Sequence, residues 1–588
     1  MKLTDLLQTE PYKQIVRTAT DQYGKEYTLI GCYAVTMTQV LKCVVEESDG
    51  ALRITDKKPV CSKPILPTAI YDNQDEAVQK VEVSYWNKGG TVQHKTVVNR
   101  SVLTNKNKVL QLADNGFPIG SDNAQYVATY LNSVLCAYDE QLPRRSSKSN
   151  MGWCHTDDGN MVFMPYTDKL AFDGEETYRH LYNAISERGS RADWCAFMRE
   201  LRSDPLGAKD ADTNVPLRLV MAASFASPMV ELIGENPFVV HLFAPTGQGK
   251  TVTLMVAMSI WGDPNNGKLT RSLNMTMNSM LSTTAFLNNL PFAGDELQTL
   301  KSRWNKTYDQ IVMQLTEGVD RGRMNGSVLL RTKTWRNAFI FTGEDPIIKA
   351  SSGGGTANRV VQIEADGKLI RNGNKTANFV KRNYGLVGRE WIELLRSESN
   401  LTELYNDIFN EIVSNVDTTD KQAGAAAILL LADNLASDAF FGGERKLWIK
   451  DIVPYLATVQ QVDIADRAFD FVMNVIAENA VKFQEDALIQ WGRFYGNTVY
   501  INKSVLLHVM SDNGYDFDAI KKRWAADDRL GVPRLETTVK DGKILYARYT
   551  TKGGKPAYYV VLNVPSEDAS VLPKLTDLTE QQQDDLPF

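Results

Sequence analysis

The chain has 588 residues but only six cysteines and five histidines. So few histidines argue against a histidine-dependent nuclease or an enzyme with several metal ions. The cysteines all lie in the first third, and the absence of a C-x-x-C pair argues against a zinc ribbon. Sparse thiols in so long a chain predict free, mostly buried cysteines in a reducing compartment. These residues are Cys32, Cys43, Cys61, Cys136, Cys154 and Cys195.

A strong excess of one charge is also missing, because 65 Lys and Arg stand against 71 Asp and Glu, a net charge of −6. This excludes a histone-like coat of positive charge but leaves room for a local basic channel. Apolar residues make up 43% and charged residues 23%. These values exclude a largely disordered, collagen-like or coiled-coil chain. The length suggests about four domains.

No apolar run is long enough to cross a membrane. The longest runs are near residues 219–233 and 423–432. Pro228 and Glu231 interrupt the first run, and the second is too short to span about 30 Å of hydrocarbon. The N-terminus lacks the basic and then apolar layout of a signal peptide. We therefore expect two buried helices in a cytoplasmic protein that makes no membrane contact.

The first region, residues 1–205, reads as an N-terminal α+β domain. Short β-type runs alternate with turns, and a helical pattern covers Ala124 to Tyr138. The polar and basic stretch Pro143 to Asn150 predicts an exposed loop. The segment 203–214 is rich in helix breakers and charge, which predicts a domain boundary.

From residue 206 the pattern changes to short apolar strands alternating with helical stretches. This alternation is typical of a parallel sheet covered by helices, and we assign residues 206–369 to it. Residues 370–480 are almost wholly helical and read as a lid or linker region. Residues 481–565 show a strand, two helices and a hairpin, the order of a winged helix, and residues 566–588 form an acidic tail. The five candidate strands of the sheet are Phe238–Phe243, Leu269–Leu273, Leu290–Gly294, Asn337–Phe341 and Val360–Glu364.

A glycine-containing loop follows the first of these strands and precedes a helical run, which is the layout of a P-loop with alanine at the first glycine position. Backbone N–H groups and the helix N-terminus would surround phosphate oxygens. Lys250 would reach the β- and γ-phosphates of ATP, and the Thr251 hydroxyl would bind Mg²⁺. The loop consists of Ala244, Pro245, Thr246, Gly247, Gln248, Gly249, Lys250 and Thr251.

Polar residues end two further strands of the predicted sheet. Asp295 and Glu296 follow the third strand, where the aspartate would hold the Mg²⁺ shell and the glutamate would polarise the attacking water. Thr342 follows the fourth strand and is the preferred candidate for a γ-phosphate sensor. The glycine-rich segment 353–355 leads to Arg359, which suits an arginine finger that reaches the nucleotide of a neighbouring subunit.

Taken together, these residues resemble the AAA+ ATPases and, more narrowly, the domain-of-unknown-function family 927 (DUF927). The resemblance covers roughly residues 60–370 and implies an α/β fold with an AAA+ P-loop ATPase core on a five-stranded parallel sheet. A helical lid, an N-terminal α+β domain and a C-terminal winged-helix-like domain complete that fold. The family includes Cch-type replicative helicases of mobile genetic elements and phages, which are similar to the MCM ring helicases. The likeness therefore implies a homo-oligomeric ring, probably hexameric, with ATP at the subunit interfaces. Besides the loop, the matching segments are 151–153, 217–228, 259–264, 274–284, 289–291, 295–296, 335–336 and 342–344.

Two basic clusters are candidates for DNA contact. Residues 320–335 contain an Asn-Gly turn between β-type runs, which predicts a hairpin, and in such rings this hairpin points into the pore towards single-stranded DNA. The second predicted helix of the C-terminal module, with Lys552 and Lys555 in its wing, could grip duplex DNA. In both cases the alternative is a basic face that merely contacts water. The candidate residues are Arg321, Arg323, Arg331 and Lys333 in the hairpin, and Lys521, Lys522 and Arg523 in the helix.

The acidic C-terminus ends in Leu586, Pro587 and Phe588. This ending is similar to the C-terminal peptide of bacterial single-stranded-DNA-binding proteins, so it could recruit replication partners. The alternative is a frayed acidic tail.

The favoured function is an ATP-driven DNA helicase of a phage or mobile element that moves along single-stranded DNA during replication. The alternative is an ATP-dependent DNA-binding initiator or assembly switch that does not unwind DNA. A primase fused to the helicase is a weaker option, because the first 200 residues contain no paired-carboxylate motif that supports it.

Overall fold

The structure is a computed structural model of the chain. The tail predicted at residues 566–588 lies outside the described part of the chain. The described residues are 2–10, 12–48, 50–75, 78–87, 89–156, 158–209, 212–300, 308–325, 328–330, 332–349, 352–484, 487–527, 531–550 and 557–564.

A small closed barrel begins the chain. Its five strands follow one another around the barrel, and the first and last close it in parallel. The barrel encloses a separate small core that includes Tyr27, Leu29 and Ile54. The strands are β1 (Val16–Asp21), β2 (Glu26–Ile30), β3 (Tyr33–Val35), β4 (Val40–Ser48) and β5 (Ala51–Cys61).

A second N-terminal sheet has the strand order β12-β9-β6-β7-β8. Helix α4 packs on it because apolar residues recur at helical spacing from Ala124 to Leu135, and the predicted bounds of this helix are confirmed. The strands are β6 (Ile65–Asn73), β7 (Gln79–Trp86), β8 (Val92–Asn99), β9 (Arg144–Lys148) and β12 (Ala171–Phe172). The helices of this region are α1 (Leu3–Gln8), α2 (Tyr12–Ile15), α3 (Arg100–Leu103) and α4 (Ala124–Tyr138).

The exposed loop predicted at residues 143–150 is wrong, because strand β9 occupies most of it. Ser147 and Lys148 are buried there despite their polarity. The Ser147 hydroxyl donates to Asp173 at 2.8 Å and the Lys148 ammonium to Asp75 at 3.1 Å. These partners make the burial of polar groups tolerable.

The central sheet has five strands in the order β14-β15-β18-β13-β19, and its neighbouring strands are parallel. All five strands predicted in this region are present, with small shifts at their ends. Its strands are β13 (Phe238–Phe243), β14 (Thr270–Ser272), β15 (Phe292–Asp295), β18 (Ala338–Gly343) and β19 (Val360–Glu364). The helices of this part are α7 (Val215–Ala226), α8 (Met229–Ile233), α9 (Lys250–Met258), α10 (Met277–Leu287), α11 (Tyr308–Thr316) and α12 (Gly354–Ala357).

Two hairpin-like pairs accompany this sheet. Strands β16 (Arg323–Asn325) and β17 (Val328–Leu330) form the hairpin predicted between the third and fourth core strands. Upstream, β10 (Gly152–His155) pairs with β11 (Met161–Met164). Two helices, α5 (Glu176–Tyr182) and α6 (Arg191–Ser203), follow that pair.

The hydrophobic core around the central sheet extends from Met151 to Leu456. The boundary predicted near residue 205 therefore does not coincide with a boundary between hydrophobic cores. Residues beyond the sheet are mainly helical, as predicted for residues 370–480. The helices are α13 (Gly373–Val380), α14 (Gly388–Ser397), α15 (Leu401–Asn415), α16 (Asp420–Ala436), α17 (Ile449–Ile452), α18 (Val459–Val462) and α19 (Ile464–Glu478).

Helix α16 and its extension to Phe441 are long and apolar enough to cross a membrane by length and composition alone. Yet 78% of the apolar window is buried inside the protein. The helix packs against α7, whose residues are all buried. Both helices are thus the buried core helices that the sequence predicted.

The C-terminal module contains a helix-turn-helix. Helices α20 (Lys503–Asp512) and α21 (Phe517–Ala526) are joined by a short turn in which Gly514 has a left-handed φ of 80°. Trp524 is fully buried in the core of this module, which also includes residues of α19. Its sheet has the order β20-β21-β25-β24, and β22 pairs with β23 as an exposed wing. The strands are β20 (Gly492–Tyr495), β21 (Thr498–Asn502), β22 (Thr538–Lys540), β23 (Lys543–Leu545), β24 (Arg548–Thr550) and β25 (Ala557–Asn563).

All six cysteines are free, as predicted, and three of them are buried: Cys43, Cys61 and Cys195.

Candidate functional site

The loop between β13 and α9 turns twice through left-handed backbone. Gly247 has a φ of 85° and Gly249 a φ of 99°, a region that residues with a side chain rarely adopt. The two glycines let the chain fold back so that helix α9 begins at Lys250. The first N–H groups of a helix have no intrahelical acceptor, so this loop and helix end can bind an anion.

Lys250 lies at the mouth of this loop. Its ammonium donates hydrogen bonds to the carbonyl oxygens of Ala244 at 2.5 Å and Pro245 at 2.9 Å. Partial burial lowers the pKa of Lys250, and the carboxylates of Glu344 and Asp295 oppose that shift. A bound phosphate would give the ammonium a charged acceptor, which forms stronger hydrogen bonds than a carbonyl.

Asp295 joins three strand ends. Its Oδ2 accepts a hydrogen bond of 2.8 Å from the Thr251 hydroxyl, and its Oδ1 accepts one from the Thr342 hydroxyl. The contact forms because β18 lies between β13 and β15, and the carboxyl ends of parallel strands share one edge of the sheet. Hydroxyl and carboxylate oxygens are the ligands that Mg²⁺ prefers. Thr251 and Asp295 therefore fit the ion that the sequence predicted.

Glu296 follows with a strained backbone. Its φ is 62°, in the left-handed region, and its side chain is exposed. Such a conformation costs a residue with a Cβ about 1–2 kcal/mol, and strain of this kind concentrates at functional sites. The N–H of Glu296 donates to Asp295 Oδ1 at 3.1 Å, which fixes the two acidic residues relative to each other. Its role as the group that polarises water stays a prediction.

The structure adds Glu344 to this site. The Thr246 hydroxyl donates a hydrogen bond to its carboxylate, so an acidic group lies against the phosphate loop. The sequence analysis assigned Glu344 no role, although its place two residues after Thr342 at a strand end was the available signal.

Arg359 does not join this site within one chain. It precedes β19, so it lies at the opposite edge of the sheet from the loop after β13. Its guanidinium donates to the Gly355 carbonyl at 2.8 Å. It also lines a cavity of about 140 Å³ together with Glu317 and Lys421. A role for Arg359 at a nucleotide therefore requires the nucleotide of another subunit.

The predicted hairpin is present, but its charges are only partly described. Arg321 is exposed, and the Lys333 ammonium donates to the Ser282 hydroxyl of α10 at 2.7 Å. Arg323 lies on β16 with its side chain outside the described part, and Arg331 is itself outside the described residues.

Helix α21 carries the second basic cluster. Lys521 pairs with Asp518, Arg523 pairs with Asp463 at the start of α19, and Lys522 is exposed. Two of the three predicted DNA-binding cations thus have carboxylate partners in the free protein. The wing residues of the same prediction, Lys552 and Lys555, lie outside the described residues.

Comparisons with known proteins agree with this architecture. Residues 43–335 match the family model of the domain of unknown function DUF927, and residues 463–567 match that of the Cch helix turn helix domain. The chain therefore carries a DUF927 domain followed by a helix-turn-helix domain, and the family resemblance predicted from the sequence is confirmed.

A solved structure shares the fold. It is described as SCCmec type IV Cch, an active helicase, and superposes with a TM-score of 0.65 at 16% sequence identity. The match covers 92% of this chain and 99% of that chain. No curated protein matches the chain.

Proposed function

We propose that this protein is an ATP-dependent DNA helicase with an AAA+ P-loop core. The observation that carries the proposal is the convergence of Lys250, Thr251 and Thr342 on Asp295 and the phosphate loop. A glycine loop, a lysine, a hydroxyl and an acidic strand end are the parts that P-loop enzymes use to hold a nucleoside triphosphate. The fold shared with an active helicase adds support.

The chemistry follows from positioning and charge. The loop N–H groups and Lys250 would hold the phosphates, and Thr251 and Asp295 would hold Mg²⁺, which neutralises charge on the phosphoryl oxygens. Glu296 would accept a proton from the attacking water. Thr342 touches Asp295 and would couple the presence of the γ-phosphate to strand β18.

DNA would be contacted at two places. The helix-turn-helix with Lys521, Lys522 and Arg523 suits duplex DNA. The hairpin with Arg321, Arg323, Arg331 and Lys333 suits the backbone of a single strand. A homo-oligomeric ring, plausibly a hexamer, would bring Arg359 to the next subunit's nucleotide. We further propose a cytoplasmic replication role, with partners recruited by the C-terminal tail.

The test is strand separation on a forked duplex, together with ATP hydrolysis with and without single-stranded DNA. Wild-type protein should separate the strands only with ATP and Mg²⁺, and DNA should stimulate hydrolysis. Lys250→Ala should lose both activities, whereas Glu296→Gln should bind ATP and fail to hydrolyse it. Wild-type protein that hydrolyses no ATP under any of these conditions would refute the proposal.

One contact favours a second candidate, an ATP-dependent switch that binds DNA without unwinding it. The start of α19, which leads into the helix-turn-helix module, packs on the glycine segment before Arg359. The Val462 carbonyl would lie 2.4 Å from a Cβ at Gly354, and Arg467 donates to the Lys349 carbonyl at 3.2 Å. DNA binding could thus control hydrolysis alone. Protein that hydrolyses ATP in response to DNA but never separates the fork would favour this switch.

A further inference from the structure

Arg271 on the edge strand β14 is a buried cation without a counter-charge. Its Nε and Nη1 atoms are buried and make no hydrogen bond with any described residue. Burial lowers the pKa of Arg271, and the ionisable group that opposes this shift is the hydroxyl of Tyr178. Buried guanidinium groups are normally paired, because an unpaired charge is costly to remove from water. The site is therefore built to receive an anion.

A second cation lies beside it. The Lys333 ammonium donates to the Ser282 hydroxyl at 2.7 Å, and Tyr178 also hydrogen-bonds with Ser282. Ser282 and Tyr178 thus stand between Arg271 from the sheet edge and Lys333 from the base of the hairpin. Lys333 is exposed, so this cluster is accessible from solvent.

We propose that Arg271 and Lys333 form a binding site for a backbone phosphate of single-stranded DNA. An arginine offers a fixed fork of donors that suits phosphate, and the lysine adds a mobile point charge. The nucleotide is the less suitable ligand, because β14 is three strand spacings, about 14 Å, from β13 and its phosphate loop. The inference rests on the proposed function in that it places the DNA strand at the hairpin.

The test is the affinity of the full-length protein for a fluorescein-labelled oligothymidylate, measured by fluorescence anisotropy at several salt concentrations. Arg271→Gln and Lys333→Ala should each weaken binding. Each should also lower the slope of log K against log salt, by about 0.7 for one lost phosphate contact on a single strand. Because both cations share one phosphate, the double variant should bind much less weakly than the two single effects combined would give. Arg396→Ala, which removes an exposed cation elsewhere in the core, should bind as wild type does.

Unchanged DNA affinity in Arg271→Gln would overturn the proposal, as would a loss of ATP affinity as large as the loss of DNA affinity. If Arg271→Gln fails to fold by its thermal melting curve, Arg271→Lys and Lys333→Ala decide the matter. The lysine variant keeps the charge and loses the fork, so it should bind DNA with intermediate affinity. Wild-type protein that binds DNA through these residues but hydrolyses no ATP would refute the helicase and leave this site standing.

Discussion

Asp295 is the residue on which the candidate site depends. It accepts hydrogen bonds from two hydroxyls that come from the helix after β13 and from the end of β18. The sequence could predict Lys250, Thr251, Asp295 and Thr342, because each stands at a fixed place after an apolar strand. It could not predict Arg271, because only the packing of α5 and α10 leaves that guanidinium buried without a carboxylate.

His241 makes stability depend on pH. It is fully buried on β13 and lies 3.0 Å from the Asp345 carbonyl through Nε2, and burial lowers its pKa to about 4. The unfolded chain takes up a proton below about pH 6.5, and the folded chain only below about 4. The free energy of unfolding should therefore fall between pH 6.5 and 4, by roughly 3 kcal/mol from this group.

His241→Asn keeps a donor for the carbonyl and removes the titration. Urea unfolding of the two proteins between pH 7 and pH 5 should show a smaller loss of stability in the variant. Equal losses in both proteins would contradict the prediction.

Elements show where pattern reasoning succeeded and where it failed. Helix α4 was predicted with its full bounds, because its apolar residues recur at the helical period. Strand β9 was missed, because Ser147 and Lys148 read as solvent-exposed polar residues. Their buried partners, Asp173 and Asp75, lie far away in the sequence, and local patterns do not reveal such pairs.

The pair between α19 and α21 should weaken duplex DNA binding in the free protein, because Arg523 must leave Asp463 to reach a phosphate. Asp463 also caps α19 by accepting a 2.7 Å hydrogen bond from the Ala465 N–H, and asparagine can do the same. Asp463→Asn should therefore keep the helix and tighten duplex binding by up to about fivefold, since an exposed ion pair contributes up to ~1 kcal/mol.

Glu478→Gln is the matched control, because it removes an exposed acidic charge at the other end of α19. Electrophoretic mobility shift with a short duplex measures both variants. An equal gain in affinity for both would assign the effect to net charge and contradict the role of the pair.

At the scale of the whole molecule, Arg359 lies across the sheet from Lys250, so active sites should need two subunits. Lys250→Ala and Arg359→Ala should each abolish ATP hydrolysis alone. Mixed, they should recover part of it, because some interfaces then combine an intact Lys250 with an intact Arg359. Recovery requires subunit exchange, which gel filtration of differently labelled proteins can verify.

The control mixture contains Lys250→Ala and Glu296→Gln, which disable the same side of an interface. It should show no recovery. Recovery in that control, or none in the first mixture after verified exchange, would contradict an arginine that acts between subunits.

The left-handed backbone at Glu296 sets a limit on how this protein can be improved. Glycine is the residue that adopts a φ of 62° without cost, so replacing Glu296 with glycine should make the folded chain more robust. The same exchange would remove the carboxylate proposed to activate water. At this position the sturdiest version of the molecule and the working version are different proteins, and selection for function keeps the weaker fold.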